Sequence, residues 1–214
     1  MRKKGFAFFL FASLLFLSRA HSQQTFRAGI QAGINGSQVH GDSYSGFNKA
    51  GVVGGIFVCT DPTKRFYAQM EMQYSSKGSR KNPNPDKGDY TSFRLAMNYA
   101  EVPFLLRMNS RNVYFEIGQT FGFLVNVREW DSNGEIHPAG FRKWETAFIF
   151  GAGINLNPHF SVDLRYTNSV APVLKFQVPL YYPNFFMNLF NKGMYHNVLG
   201  LTLAYRFGDS GTSQ

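Results

Sequence analysis

The sequence predicts an all-β fold: an eight-stranded antiparallel transmembrane β-barrel with short periplasmic turns and long extracellular loops. Three observations carry that reading. Eight segments alternate apolar and polar residues with period two. Their connections alternate between short and long. Aromatic residues bracket the segments near their ends, as in the interfacial girdles of a membrane barrel.

Residues 1–22 read as an export signal. Arg2, Lys3 and Lys4 precede an apolar run over 5–17, and Ala20 and Ser22 supply small residues at cleavage spacing. Gln23 would then be the first mature residue. The run is short for a span, which needs about 20 residues. Nothing later in the chain approaches an apolar run of that length, so any crossing is made by strands. The single cysteine, Cys59, cannot close an intramolecular disulfide and is read as a small apolar side chain.

In the first segment Phe26, Ala28, Ile30, Ala32 and Ile34 face one way, and Arg27, Gly29, Gln31, Gly33 and Asn35 the other. The second, 49–59, is rich in glycine and its phase is ambiguous. The third sets Phe66, Ala68, Met70, Met72 and Tyr74 against Tyr67, Gln69, Glu71, Gln73 and Ser75. In the fourth, Ala100, Val102, Phe104 and Leu106 oppose Tyr99, Glu101, Pro103, Leu105 and Arg107. Upstream, Phe93, Leu95 and Met97 break that phase, which implies a bulge or a start above the membrane.

The fifth segment, 113–123, turns Tyr114, Glu116, Gly118 and Thr120 away from its large apolar face. The sixth, 144–156, does the same with Glu145, Ala147, Gly151 and Gly153. The seventh, 160–167, opposes Ser161, Asp163 and Arg165 to Phe160, Val162, Leu164 and Tyr166. The eighth, 198–207, opposes Thr202, Ala204 and Arg206 to Leu199, Leu201, Leu203, Tyr205 and Phe207.

Large residues on one face and glycine, alanine and charge on the other suit lipid outside and a crowded lumen inside. Tight turns at 60–65, 109–112 and 157–159 alternate with long loops at 38–48, 76–90, 126–143 and 168–196. With both termini periplasmic, that parity demands an even number of strands. About 192 residues follow the signal, roughly 24 per strand and connection, where a tilted span needs roughly 9–11. Domain limits follow: signal 1–22, barrel 23–207 and tail 208–214.

Tyr99, Glu101 and Pro103, followed by Phe104, Leu105 and Leu106, resemble the Tyr-x-Glu-x-Pro signature of PorT-like outer-membrane β-barrel proteins. The stretch 70–78, Met-Glu-Met-Gln-Tyr-Ser-Ser-Lys-Gly, is similar to that family's Glu-x-x-Tyr-Ser-x-Lys-Gly strand. Glu116-Ile117-Gly118, Asp163-Leu164-Arg165-Tyr166 and the closing strand match further motifs. A departure is the seven-residue tail after Phe207, since the terminal aromatic of such barrels usually ends the chain. The resemblance implies an eight-stranded barrel in the outer membrane of a Gram-negative bacterium. It also implies a non-enzymatic role as a membrane anchor or an accessory of surface assembly or protein secretion.

The inward charges are Arg27, Glu71, Glu101, Arg107, Glu116, Glu145, Asp163, Arg165 and Arg206, with no inward lysine. Charges inside a narrow barrel need partners. They form either a salt-bridged plug or an ion path, and side chains usually fill eight-stranded barrels. Pro103 lacks a ladder donor and marks an irregularity. Lys77, Arg80, Lys81 and Lys87, with Asp86 and Asp89, read as a basic loop suited to solvent or anionic lipopolysaccharide.

Of the histidines, His40, His137 and His196 fall in or beside loops and His159 in a turn. Ser43, Ser45, His40 and Asp42 lack a nucleophile-elbow signature, and metal-ligand spacing is absent. No catalytic residue, cofactor or metal is expected; a lipid-active enzyme and a small-solute channel are the alternatives. The last long loop is unusually apolar, and Phe176, Tyr181, Tyr182, Phe185, Phe186 and Phe190 are its candidate contacts. It would cover the mouth, lie in the outer leaflet or dock a partner, with 184–191 as a short amphipathic helix.

The formal charge of +9 is read as rim charge beside phosphorylated headgroups, and nucleic acid is excluded as a partner. The expected partners are outer-membrane lipid, lipopolysaccharide and proteins of a secretion or envelope complex.

Overall fold

The computed structural model describes residues 26–40, 46–136, 140–175 and 193–208 of the 214-residue chain. One antiparallel sheet carries the whole fold. Its long strands are β1 (Arg27–His40), β2 (Lys49–Cys59), β3 (Phe66–Lys81), β4 (Phe93–Ser110) and β5 (Val113–Asp131), then β7 (Trp144–Asn155), β8 (Phe160–Ser169) and β10 (Gly193–Arg206). Short strands β6 (Gly134–Ile136) and β9 (Leu174–Lys175) pair with β5 and β10. Each long strand pairs with the next, and β1 pairs with β10 from Gly29–Arg206 to His40–Tyr195. The sheet therefore closes as an eight-stranded ring with no free edge.

Lipid-facing residues are large and exposed on every long strand, for example Ile34, Ile56, Met72, Phe104, Ile117, Phe150, Leu164 and Leu201. Residues two apart on the other face are buried. The ambiguous second segment resolves with Lys49, Val53, Phe57 and Cys59 inward. Inward glycines make room for large neighbours. A Cβ on Gly153 would collide with the Tyr114 ring, and one on Gly151 with the Glu116 side chain.

The tight turns are closed by local side-chain bonds. Asp61 Oδ1 accepts from the Thr63 N–H (3.0 Å) and hydroxyl (2.7 Å). Asn157 Oδ1 accepts from the N–H groups of His159 and Phe160, each at 2.8 Å. Arg111 adopts φ 59° in the two-residue turn between β4 and β5, where hairpins demand left-handed backbone.

The strands run further towards the loop end than the alternation indicated. β3 and β5 contain 16 and 19 residues, where a span needs about 9–11. Lys77 therefore lies on β3 and not in a loop, and His196 lies on β10. Above the lipid the outer face of a strand meets water, so the apolar half of the pattern disappears while pairing continues.

The phase break seen on the fourth segment belongs to β5. β4 keeps one phase throughout, with Leu95, Met97, Tyr99, Leu105 and Arg107 all buried inside. Its pairing to β5 steps from Asn98–Asn126 to Tyr99–Leu124. Val125 is the extra residue of a bulge. Beyond it, Asn126 and Arg128 point outward and Val127 turns in. Tyr99 is fully buried, so it is not part of the aromatic girdle. Pro103 shifts no register. The β3–β4 pairing skips only the positions opposite Pro103 and Val102, then resumes in phase.

Facing is testable with cysteine labels, because native Cys59 is buried at 1% exposure. Asn126→Cys is expected to react with a polar maleimide in the folded protein, and Met97→Cys only after denaturation. A reactive Met97→Cys beside a protected Asn126→Cys would contradict the bulge.

Candidate functional site: the sealed polar lumen

Two apolar clusters close the lumen. At the turn end Phe57, Cys59, Tyr67 and Ala204 pack together. At the loop end Val39, Leu95, Met97, Tyr99 and Val173 do so, with Phe93, Leu124, Val127, Phe141 and Met194 around them. Val173 begins the last long loop. Its N–H donates to Met194 O and its carbonyl accepts from Arg142 N–H, each at 2.8 Å. The start of that loop thus covers the mouth. Phe176, Tyr181, Tyr182, Phe185, Phe186 and Phe190, and the helix expected at 184–191, lie outside the described residues.

Between the clusters the charges meet. Arg165 donates two bonds to the Glu71 carboxylate, Nη1 to Oε2 (2.8 Å) and Nη2 to Oε1 (2.7 Å). Its Nε reaches Glu116 Oε1 (2.6 Å). Arg107 binds the other Glu116 oxygen through Nε (2.8 Å) and Asp163 Oδ1 through Nη2 (3.0 Å). The Tyr114 hydroxyl also donates to Asp163. Gln31 Nε2 (2.6 Å) and Gln69 Nε2 (2.7 Å) complete the shell of Glu71. The bidentate fork explains why arginine holds the centre.

A second group sits nearer the loops. Lys77 pairs with Glu101 and, at 3.1 Å, with Glu145. Its Nζ lies 4.9 Å from the centre of the Tyr99 ring. Glu145 Oε1 also contacts His196 Nδ1 (3.0 Å) and accepts from the Ser169 hydroxyl (2.7 Å). Gln73 joins the two groups: it accepts from Gln31 Nε2 (3.1 Å) and donates to Glu101 Oε2 (2.9 Å). A polar chain therefore crosses the lumen from Asp163 to His196.

The nine charges read from the sequence divide as follows. Glu71, Glu101, Arg107, Glu116, Glu145, Asp163 and Arg165 join the network. Arg206 is buried but bonds the Pro158 carbonyl at the turn rim (3.0 Å). Arg27 is half-buried at the same end. The expectation of no inward lysine is corrected by Lys77, which is buried at 1% exposure and paired with lumen carboxylates. Lys49 Nζ donates to Ser76 Oγ (2.9 Å). His196 is likewise an interior residue and not a loop residue. The signal that locates Lys77 is the odd-numbered inward phase of β3, followed past Ser75. Of the motif residues, Tyr99 and Glu101 flank Lys77, and Pro103 lies opposite Glu71.

Ser169, His196 and Glu145 do not form a nucleophile–base relay. The Ser169 hydroxyl is spent on Glu145, and His196 Nε2 has no protein partner among the described residues. No cluster of metal-ligand side chains occurs among the described residues. An internal cavity of about 30 Å³ lies beside Asn35, Gln73, Lys77, Glu101 and Thr202, enough for about two waters. Of the basic loop, Lys81 pairs with Asp89 at 2.8 Å. That ammonium, with the Thr91 hydroxyl and N–H, holds the Asp89 carboxyl below its ordinary range.

A closed antiparallel ring with an apolar exterior and a salt-bridged interior defines an outer-membrane β-barrel protein. The chain belongs to the family described as outer membrane protein beta-barrel domain, whose model matches residues 19–175. Among solved structures it resembles neisserial surface protein A, at 11% identity over 84% of this chain and 97% of that one, with TM-score 0.54. It is also similar to Ail, the attachment invasion locus protein of Yersinia pestis, solved in complex with the heparin analogue sucrose octasulfate. There identity is 14% over 85% of this chain and 99% of that one, with TM-score 0.47. No curated protein matches.

Removing one partner from a buried ion pair costs about 3–5 kcal/mol. Arg165→Met is therefore expected to lower unfolding stability by about that amount, because Glu71 and Glu116 lose a shared cation. Urea titration of protein folded into lipid vesicles measures it. Adding Glu71→Gln should recover part of the loss. A single variant as stable as wild type would mean that the network is not desolvated.

Proposed function

We propose that this protein is a non-enzymatic outer-membrane barrel of the PorT-like type, serving as a membrane anchor or accessory in surface assembly or protein secretion. The observation that supports this most is the filled lumen. Among the described residues, the lumen leaves a space of about 30 Å³ beside Gln73, Lys77 and Glu101, far below the roughly 300–1,000 Å³ of small-molecule sites. Its ionisable groups are consumed by one another, which disfavours both a solute path and a hydrolytic relay. What such a barrel can offer is its rim, its loops and its lipid-facing wall. Outer-membrane lipid, lipopolysaccharide and envelope proteins are the partners of this reading, and nucleic acid is not. Residues 1–22 act as a cleaved signal, residues 23–207 form the barrel and 208–214 the tail.

Mass measurement of the protein extracted from outer membranes is expected to give a chain beginning at Gln23. Capture from cells in mild detergent is expected to recover envelope proteins in fixed stoichiometry. Incubation of the purified protein with lipopolysaccharide should leave the lipid covalently unchanged. A modified lipid, with the change lost in His196→Ala or His40→Ala, would overturn the non-enzymatic reading.

A further inference from the structure

We propose that the outer wall of β3, β4 and β5 carries a binding site for the phosphorylated headgroup of an outer-leaflet lipid, built from Arg80, Arg94 and Arg128. The proposal rests on the outer-membrane reading and adds a site and a ligand chemistry to it.

The three arginines are exposed and share one face at the loop end. Arg80 pairs directly with Arg94 across β3 and β4. One row nearer the membrane, Arg128 opposes Ala96 across β4 and β5. Arg94 itself opposes Trp130, with its guanidinium carbon 5.2 Å from the ring centre. Like charges directly opposite on a sheet destabilise it unless something lies between them. Among the described residues no carboxylate is ion-paired to any of the three. Glu135 is on the same face, opposite Trp130, and makes no ion pair there. Five carboxylates within the barrel are matched to cations, so this uncompensated cluster departs from the pattern of the molecule.

The bulge at Val125 creates the cluster. Without the extra residue, Val127, Glu129 and Asp131 would face outward and Arg128 and Trp130 inward. The insertion exchanges an acidic outer face for a basic, aromatic one. Bulges that re-aim side chains in this way recur beside functional sites.

The same wall is concave. A cleft of about 450 Å³ is lined by Arg94, Arg128, Trp130, Asn98, Asn126 and Ser76. It opens where the β2–β3 ladder stops at Val53–Ser75, and Lys49 lies at its edge. Guanidinium forks, amide donors and a ring beside a cleft match the oxygens of a phosphate and an attached sugar.

Height selects the source of the phosphate. Tyr74, Ala100 and Phe123 form one outward row across the three strands, with Tyr74 and Phe123 in the exposed aromatic belt. Successive rows on one face are about 6.6 Å apart along a strand, or about 5 Å along the axis at a tilt near 40°. Arg128 then sits about 10 Å, and Arg80 and Arg94 about 15 Å, above that belt. The backbone there stands above the belt, and the long guanidinium arms reach down from it to the headgroups, as snorkelling side chains do. A lipid whose acyl chains lie against the apolar wall below would bring its phosphate to these side chains.

The test uses the full mature chain in detergent and native mass spectrometry. The probes are lipid A carrying its phosphates, lipid A stripped of them, and inorganic phosphate as competitor. Wild type is expected to retain the phosphorylated lipid about tenfold better than the stripped one. The Arg80→Gln/Arg94→Gln/Arg128→Gln variant is expected to lose that preference, and Lys64→Gln on the opposite rim to keep it. Heat-modifiable migration on gels checks that each variant is a folded barrel, and the stripped lipid tests the proposal on wild type alone. Equal retention of both lipids, or a preference unchanged in the triple variant, would overturn the site. Full displacement by inorganic phosphate would overturn the lipid as ligand. Either outcome, obtained with envelope partners still captured, removes the site and leaves the anchor reading standing.

Discussion

Charge sealed inside a narrow barrel is the constraint on which this structure depends. Apolar clusters at both ends exclude bulk water, so each interior carboxylate must meet a cation or a hydrogen-bond donor. Arg165 satisfies Glu71 and Glu116 together, Arg107 satisfies Glu116 and Asp163, and Lys77 satisfies Glu101 and Glu145. These side chains come from seven of the eight long strands once the glutamines and His196 are included, all but β2. The network therefore crosslinks the ring from within. Small inward residues follow from it, because Gly151 and Gly153 leave the space that Glu116 and Tyr114 fill.

The membrane-embedded part of this design was legible in the sequence. There lipid enforces large residues on alternate positions, and the inward phase of Glu71, Glu101, Arg107, Glu116, Glu145, Asp163 and Arg165 can be read directly. The part above the lipid was not. From Ser76 to Lys81 both faces of β3 are polar, so Lys77 resembles a loop residue although pairing continues. His196 was hidden in the same way on β10. The bulge was visible only as a conflict of phase on β4, and its place on β5 needed the pairing itself. Partners of individual charges were also beyond the sequence, since Arg165 and Glu71 are 94 residues apart.

The same constraint bears on function. Among the described residues the charges of the lumen are spent on one another, which is what favours the non-enzymatic, closed-barrel proposal over a catalytic or conducting one. The chemistry left for partners is on the outside: the loops, the rim and the wall of β3 to β5. On that wall one extra residue, Val125, converts an outward acidic strand end into an outward basic one. Interior and exterior thus differ, with cations inside held by carboxylates and the three outer arginines paired to none among the described residues.

Current recordings across planar bilayers test the closed lumen most directly. Reconstituted wild-type protein, verified as folded and inserted, should give no unitary conductance steps under an applied voltage in either polarity. Reproducible steps of one size, scaling with the number of inserted barrels, would show an open path and contradict the account.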